Sequence, residues 1–407
     1  MSSHHPTPTP PSLLPAAVPP LPAALEQALQ SLLSDLAATA AQRDADGGTA
    51  KPERDKIRQS GLLRLSTPLE LGGHGLPWTS TLDVVRRIAA VDSSLAHVFG
   101  FHHLLLATVQ LFAQPGQWQP WLAESSRRNG FWGNALNPLD RRTVQRFGPE
   151  GRVFDGHKSF CSGSADADVL IASAIDEDSG RLLIAALPAD RPGITVHGDW
   201  NNMGQRQTDS GSVSFEQVRV HDEELLLDPG PLSTPRSCLR PLLAQLIFCE
   251  LFLGLAEGAF GAARDFTLNQ SRAWVKSGVE QASQDPYVLA HYGEFWVGLQ
   301  GARALVAQAA QLFDAAWNLG DALSAEQRGE VALAVASAKV ASSRTGLDIG
   351  SRLFEVSGAR STQGALRLDR FWRNLRTQTL HDPLDYKLKE LGEWALNEVL
   401  PVPSFYS

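Results

Sequence analysis

Cysteine is nearly absent from this 407-residue chain, occurring only at 161, 238 and 249. An odd, sparse set with no metal-ligand spacing excludes a disulfide framework and points to reduced thiols in the cytoplasm. Positive charge is in deficit as well. The formal net charge is −8, and no basic cluster interleaves with aromatics, which argues against a nucleic-acid partner. No GxGxxG follows a strand to open a helix and no GxxxxGK[ST] loop occurs, so nothing marks a dinucleotide crossover or a P-loop. A GxSxG elbow and an HExxH helix are missing too. Long apolar runs are also lacking. The best stretch, Leu242–Ala263, is interrupted by Gln245, Glu250 and Glu257, and reads as a buried helix rather than a membrane span. The first residues, 1–21, are proline-rich without a basic start and an apolar core; they read as a disordered lead-in, not a signal peptide.

What is present suits a globular protein with a large core. Hydrophobic residues make up 43% and charged residues 20%, enough for two or three subdomains at this length. Apolar residues at three- and four-residue spacing place helices over Leu25–Arg43, Lys51–Leu63, Thr81–Ala90, Leu95–Phe112 and Pro115–Ser126. From Gly130 to Val220 short β-rich runs alternate with Gly, Asp and Pro turns, the texture of a small antiparallel barrel or sandwich. After a linker at Asp228–Arg236 the chain returns to long helices, over Leu239–Ser271, Tyr287–Leu319, Ser324–Ser357 and near Tyr386–Glu398. Few prolines and such lengths suit an antiparallel four-helix bundle. The expected architecture is therefore α+β: a helical domain over 22–128, a β-domain over 129–235 and a bundle over 236–407.

Candidate chemistry gathers in five places. The run Arg370–Lys387, RFWRNLRTQTLHDPLDYK, mixes bulky aromatics with many hydrogen-bonding groups. Pro383 biases Asp382 away from helix, which puts His381 at a helix end or in a loop where it can reach a cavity. A solvated Arg-rich helix end is the alternative. In DSSLAHVFGFHH, His97 falls in an apolar helix, either as a cavity-lining group or as a satisfied core histidine. His102 and His103 lie roughly 120–140° around the helix from it, which makes a shared zinc site unsuitable. Asn134, in FWGNALNP, is a ring-binding amide or a turn residue. In FDGHKSFCSGSADAD the Asp155-Gly156 pair reads as a hairpin turn, and Phe160 to Gly163 as a strand end open to a flat ligand. Arg272, in NQSRAW, is a phosphate fork or a surface arginine.

The order of these sites along helix, barrel and bundle resembles the acyl-CoA dehydrogenase superfold, and within it the flavin-dependent monooxygenases typified by dibenzothiophene monooxygenase. The resemblance runs from Leu25 to the C-terminus and is dense at SGLLRLSTPLELGGHG, AHVFGFH, GHKSFCSGS, DWNNMGQRQTDSGS, FEVSGAR and FWRNLRTQTLHDPLDYK. It implies reduced FMN supplied by a separate NAD(P)H-dependent reductase, O2 as co-substrate, and a cytoplasmic homotetramer. The reaction it implies is oxygen transfer from a flavin C4a-hydroperoxide to sulfur, giving a sulfoxide or sulfone. His97, Ser162 and His381 match the family's catalytic residues, with Ser162 beside the ring N5. Asn134, Trp200, Ser212, Arg360 and Gln378 match flavin contacts, and Arg272 matches an arginine that holds the phosphate across a subunit boundary. Phe101, Trp200 and Gln378 fall on the substrate side. Phe101 replaces a tyrosine of the dibenzothiophene enzyme and Gln378 a histidine, so substrate identity stays open between fused thiophenes, alkyl sulfides or sulfones, sulfinates and indole-like rings. An N-hydroxylase of amines and a non-catalytic bundle protein remain alternatives. An acyl-CoA dehydrogenase is a further one, although Leu-His-Asp-Pro stands where that family's tail carries its Tyr-Glu-Gly motif, without the catalytic glutamate.

Overall fold

The computed structural model describes residues 18–407 apart from residue 150; residues 1–17 of the proline-rich lead-in lie outside the described residues. Five helices open the fold: α1 (Ala23–Asp46), α2 (Lys51–Gln59), α3 (Trp78–Ala89), α4 (Ser93–Phe112) and α5 (Pro115–Arg128). Asp92 caps α4 by accepting the Leu95 N–H at 3.0 Å, which satisfies one of the orphan donors of the first turn. Nearly every side chain of α4 is buried, so this helix is the floor on which the later elements rest.

Seven strands follow: β1 (Trp132–Ala135), β2 (Val144–Gly148), β3 (Gly151–Lys158), β4 (Val169–Asp176), β5 (Leu182–Pro188), β6 (Ile194–Val196) and β7 (Val213–Arg219). They form one curled sheet in the order β1-β4-β2-β3-β7-β6, with β5 paired to β4. The sheet is mixed, since β1 and β2 each pair with β4 in parallel, where alternation alone suggested antiparallel strands throughout. The expected hairpin turn at Asp155-Gly156 is a correction. β3 runs through this pair, and the ladder to β7 shifts register between Phe154 and Gly156, a β-bulge. Gly156 has φ +132 and its missing Cβ would meet the Arg142 carbonyl oxygen at 2.2 Å. The glycine serves a close backbone approach inside the sheet, not a chain reversal.

The C-terminal half is α6 (Leu239–Asn269), α7 (Pro286–Leu319), α8 (Ala325–Ser357), α9 (Arg370–Thr379) and α10 (Leu384–Asn397). α6 packs between α8 and the pair α3/α4. A Cβ at Gly254 or Gly258 would meet the carbonyls of Arg86 or Ala90 at 2.3 and 2.2 Å, so these glycines let α6 lie directly on α3. Among the described residues two helices, α4 and α6, are long and apolar enough to cross a membrane, and both are mostly buried in the core. One large apolar cluster spans α1 to α9 and a smaller one fills the β-domain. The candidate site lies where the two meet.

Candidate active site

A cavity of about 710 Å³ opens between sheet, α4 and bundle. The apolar periodicity of α4 leaves His97 on its cavity-facing side. β1 carries Asn134, whose backbone N–H donates to the Ser162 carbonyl at 2.9 Å, so Asn134 and Ser162 are fixed to each other. α9 ends at Thr379 and Pro383 caps the next helix; the break between them turns His381 to the wall. The cavity therefore brings together His97, Phe101, Asn134, Ser162, Trp200, Gln378 and His381, residues separated by up to 284 positions in sequence (381 − 97).

Three of the residues singled out by sequence are elsewhere. Ser212 does not line the cavity; its backbone N–H donates to Asp199 at 2.7 Å and its hydroxyl to the same carboxylate, which steadies the loop that carries Trp200. Arg272 and Arg360 are exposed where α6 and α8 end, and Arg360 donates to the Gln270 carbonyl. Neither touches the cavity within this chain.

The two cavity histidines differ in electrostatic setting. His97 is 3% exposed, stacks on Phe101 at 4.2 Å, and neither ring nitrogen has a hydrogen-bond partner. Burial first, and the His381 charge second, push its pKa down to about 3, so the ring is neutral at physiological pH. His381 instead donates from Nδ1 to Asp382 Oδ1 at 3.0 Å. Asp382 accepts from Lys339 Nζ at 2.5 Å and from Gln245 Nε2 at 3.3 Å. Burial opposes the Asp382 charge, yet the His381 hydrogen bond and the Lys339 ammonium hold its carboxyl well below the usual range. Phe248 lies between the two rings, with centroids 5.8 Å from His97 and 4.7 Å from His381.

Several cavity groups escaped the sequence reading. Arg240 of α6 is 6% exposed, lines the cavity, and makes one long side-chain contact, 3.4 Å from Nε to Thr108 Oγ1. Among the described residues no carboxylate pairs with it, and burial lowers its pKa to about 10. Thr208 and Ser210 line the wall beside Ser162, and Phe405 and Tyr406 return from the C-terminal segment to close one side. A signal existed for Arg240 alone: an arginine at the head of a strongly apolar helix.

Buried polar atoms without partners, facing one cavity, are completed by a ligand or by water. A flat tricyclic flavin ring, with carbonyl and N–H groups on its rim, suits the His97 nitrogens, Ser162 and Asn134, and the Phe160–Trp200 pair, 6.2 Å apart at 72°, gives it an aromatic flank. The residues present fit such a group.

Comparison with known proteins agrees. The sequence matches "Acyl-CoA dehydrogenase, N-terminal domain" over 23–128 and "Acyl-CoA dehydrogenase, C-terminal domain" over 246–386. It is 61% identical to the probable FMNH2-dependent monooxygenase SfnC of Pseudomonas putida, covering 93% of this chain and 96% of that one. The structure of methanesulfinate monooxygenase MsuC from Pseudomonas fluorescens superposes with a TM-score of 0.93 at 64% identity, covering 95% of this chain and 100% of that one. FMN-bound TdsC from Paenibacillus sp. A11-2, a dibenzothiophene monooxygenase, gives a TM-score of 0.89 at 42% identity over 94% and 100% of the two chains. The chain belongs to the acyl-CoA dehydrogenase family, among its flavin-dependent monooxygenases.

Proposed function

We propose that this family member uses reduced FMN and O2 to oxygenate the sulfur of a small organic sulfinate, the flavin arriving from a separate NAD(P)H-dependent reductase. The observation that carries the substrate class is Arg240, a buried guanidinium on the cavity wall that no acid among the described residues neutralises. Such a charge is costly unless a bound anion pairs with it. A sulfinate supplies that anion and still keeps a lone pair on sulfur. MsuC, by its name, acts on methanesulfinate, in keeping with this reading. A neutral fused thioether of the dibenzothiophene type is the second reading, favoured by the aromatic surfaces of Phe101, Phe160 and Trp200.

Reduced FMN, when bound, would supply the two electrons that activate O2, one oxygen atom going to sulfur and the other leaving as water. The protein supplies the rest. Phe101, Leu104 and Phe405 wall the site in hydrocarbon, which keeps water from the reacting centre. His381 is the proton carrier: Asp382 fixes the proton on its Nδ1 and leaves Nε2 to give or take one, a contribution of about 10²–10⁴-fold. His97, neutral through burial, orients by a single hydrogen bond. Ser162, Asn134, Trp200 and Gln378 hold the ring. Arg272 holds the cofactor phosphate across the boundary to another copy in a homotetramer, and Arg360 makes a further contact to the flavin. Exposed Trp274 and Val275 beside Arg272, 69% and 85% accessible, support that boundary, since apolar groups so bare mark an interaction surface. Three free thiols, all buried, are consistent with the cytoplasm.

The test is direct. Purified protein receives enzymatically reduced FMN and O2 with methanesulfinate, dibenzothiophene or a primary amine, and products are identified by mass. Sulfonate from sulfinate is the expected result. Sulfoxide from dibenzothiophene alone shifts the assignment to the second reading, hydroxylamine moves the chemistry to nitrogen, and hydrogen peroxide as the sole product with all three removes the proposal.

A further inference from the structure

Three hydroxyl side chains form a file along the cavity wall. Ser162 Oγ lies 2.7 Å from Ser210 Oγ, Ser210 Oγ lies 2.7 Å from Thr208 Oγ1, and Thr208 Oγ1 lies 3.0 Å from the Gln205 carbonyl oxygen. All three side chains are buried. Each hydroxyl has one proton, and each contact needs one between its two oxygens. The carbonyl at the far end has none to give. Thr208 therefore donates to Gln205, Ser210 to Thr208 and Ser162 to Ser210. Any other arrangement leaves two oxygens within 3.0 Å with no proton between them. The far end is itself anchored, because the Gln205 carbonyl also accepts from Trp200 Nε1 at 2.7 Å and the Gln205 N–H donates to Asn374 Oδ1 at 2.7 Å.

Ser162 consequently faces the cavity with lone pairs only. We infer that the Ser162–Ser210–Thr208 file makes the site selective for the reduced form of its flavin, by offering an acceptor to a ring edge that carries hydrogen only after reduction. This rests on the flavin reading above. Two-electron reduction of an isoalloxazine places hydrogen on ring nitrogen; in the oxidised ring the same nitrogen presents a lone pair. The serine oxygen attracts the first and repels the second. Thr208 and Ser210 are positioning residues that act through Ser162. Their effect is to retain the reduced cofactor through turnover and to release the oxidised one for reduction elsewhere.

Thr208→Val removes the outlet for the file. The Ser210 proton then turns to Ser162, and the Ser162 proton is free to point at an oxidised ring. Anaerobic titration with FMNH2 and aerobic titration with FMN give the ratio of the two dissociation constants. In the wild type the reduced form binds more tightly. T208V narrows that preference about tenfold, as expected for redirecting one hydrogen bond, equivalent to a fall of about 30 mV in the bound flavin potential. Ser210→Ala narrows it in the same direction, and Thr208→Ser, which keeps the hydroxyl, restores it. A wild type with no preference, or T208V and S210A variants of native circular dichroism that keep the wild-type ratio, overturns the inference. A wild type that binds neither form of FMN overturns the flavin reading instead.

Discussion

The candidate-site cavity and a second one, of about 420 Å³ between α3, α6 and α7, handle buried charge in opposite ways. In the second, Arg86 contacts Glu257 at 3.3 Å and Glu250 at 3.5 Å, and Arg303 donates to Glu257 at 2.7 Å. Burial raises Glu250 to about 8, against the pull of Arg86, so this carboxyl is protonated at pH 7. Two guanidiniums then face the carboxylates of Asp83 and Glu257, and the cluster is internally balanced. In the first cavity, among the described residues, Arg240 has no acid and His97 has no hydrogen-bond partner. The second network is balanced in charge, although Glu250 Oε2 has no hydrogen-bond partner, and it serves the fold; the unbalanced charge of the first waits for a ligand. Volume alone would not have separated them.

Four substitutions break or sharpen this contrast. His381→Ala should lower oxygenation by about 10²–10⁴-fold, measured as product per FMNH2 delivered, while FMN binding is largely kept. Undiminished turnover would remove His381 from proton transfer. Arg86→Met strands the acids of the balanced cluster and should cost about 3 kcal/mol, read from a denaturant midpoint. Arg240→Met is its counterpart. It should raise KM for methanesulfinate roughly tenfold or more, the scale of one charge-assisted contact, with no loss of stability, because the free protein loses an unpaired charge. Equal destabilisation by the two variants would erase the distinction between the cavities. Glu250→Gln should act least, and through pH. With a folded pKa near 8 against 4.5 unfolded, the native state binds the extra proton, so stability falls as pH rises between those values. The variant should show a flatter profile over that window in thermal melts at stepped pH.

Much of the fold was legible because helix and strand periods differ. The long helices α6, α7 and α8 begin and end within two residues of the segments read from spacing. The bulge at Gly156 was not legible, since an Asp-Gly pair has one sequence signature and two structural uses. Within the site, His381 announced itself through Pro383, which has to end a helix. Lys339 gave no such sign, and Arg240 only that of an arginine heading an apolar helix, because a polar residue on a buried helix face acquires meaning only when the opposing elements are known. The Ser162 file is invisible to sequence for a sharper reason: its direction depends on three distances and on one carbonyl. Arg272 and Arg360 could be named from resemblance, but a single chain leaves them bare at the end of the bundle.

Sulfur atoms of the protein itself sit near this chemistry, and their placement decides how the catalyst ages. Met203, one of two methionines in the chain, lies on the cavity wall and is 48% exposed; its thioether resembles a substrate and takes up stray oxidant first. Cys161, directly before Ser162, is fully buried and pushed up to about 12 by burial, so it stays a thiol and not the reactive thiolate. Wear from uncoupled turnover therefore begins at the mouth, where methionine sulfoxide is reversible, and spares the residue whose loss would disturb the serine beside it.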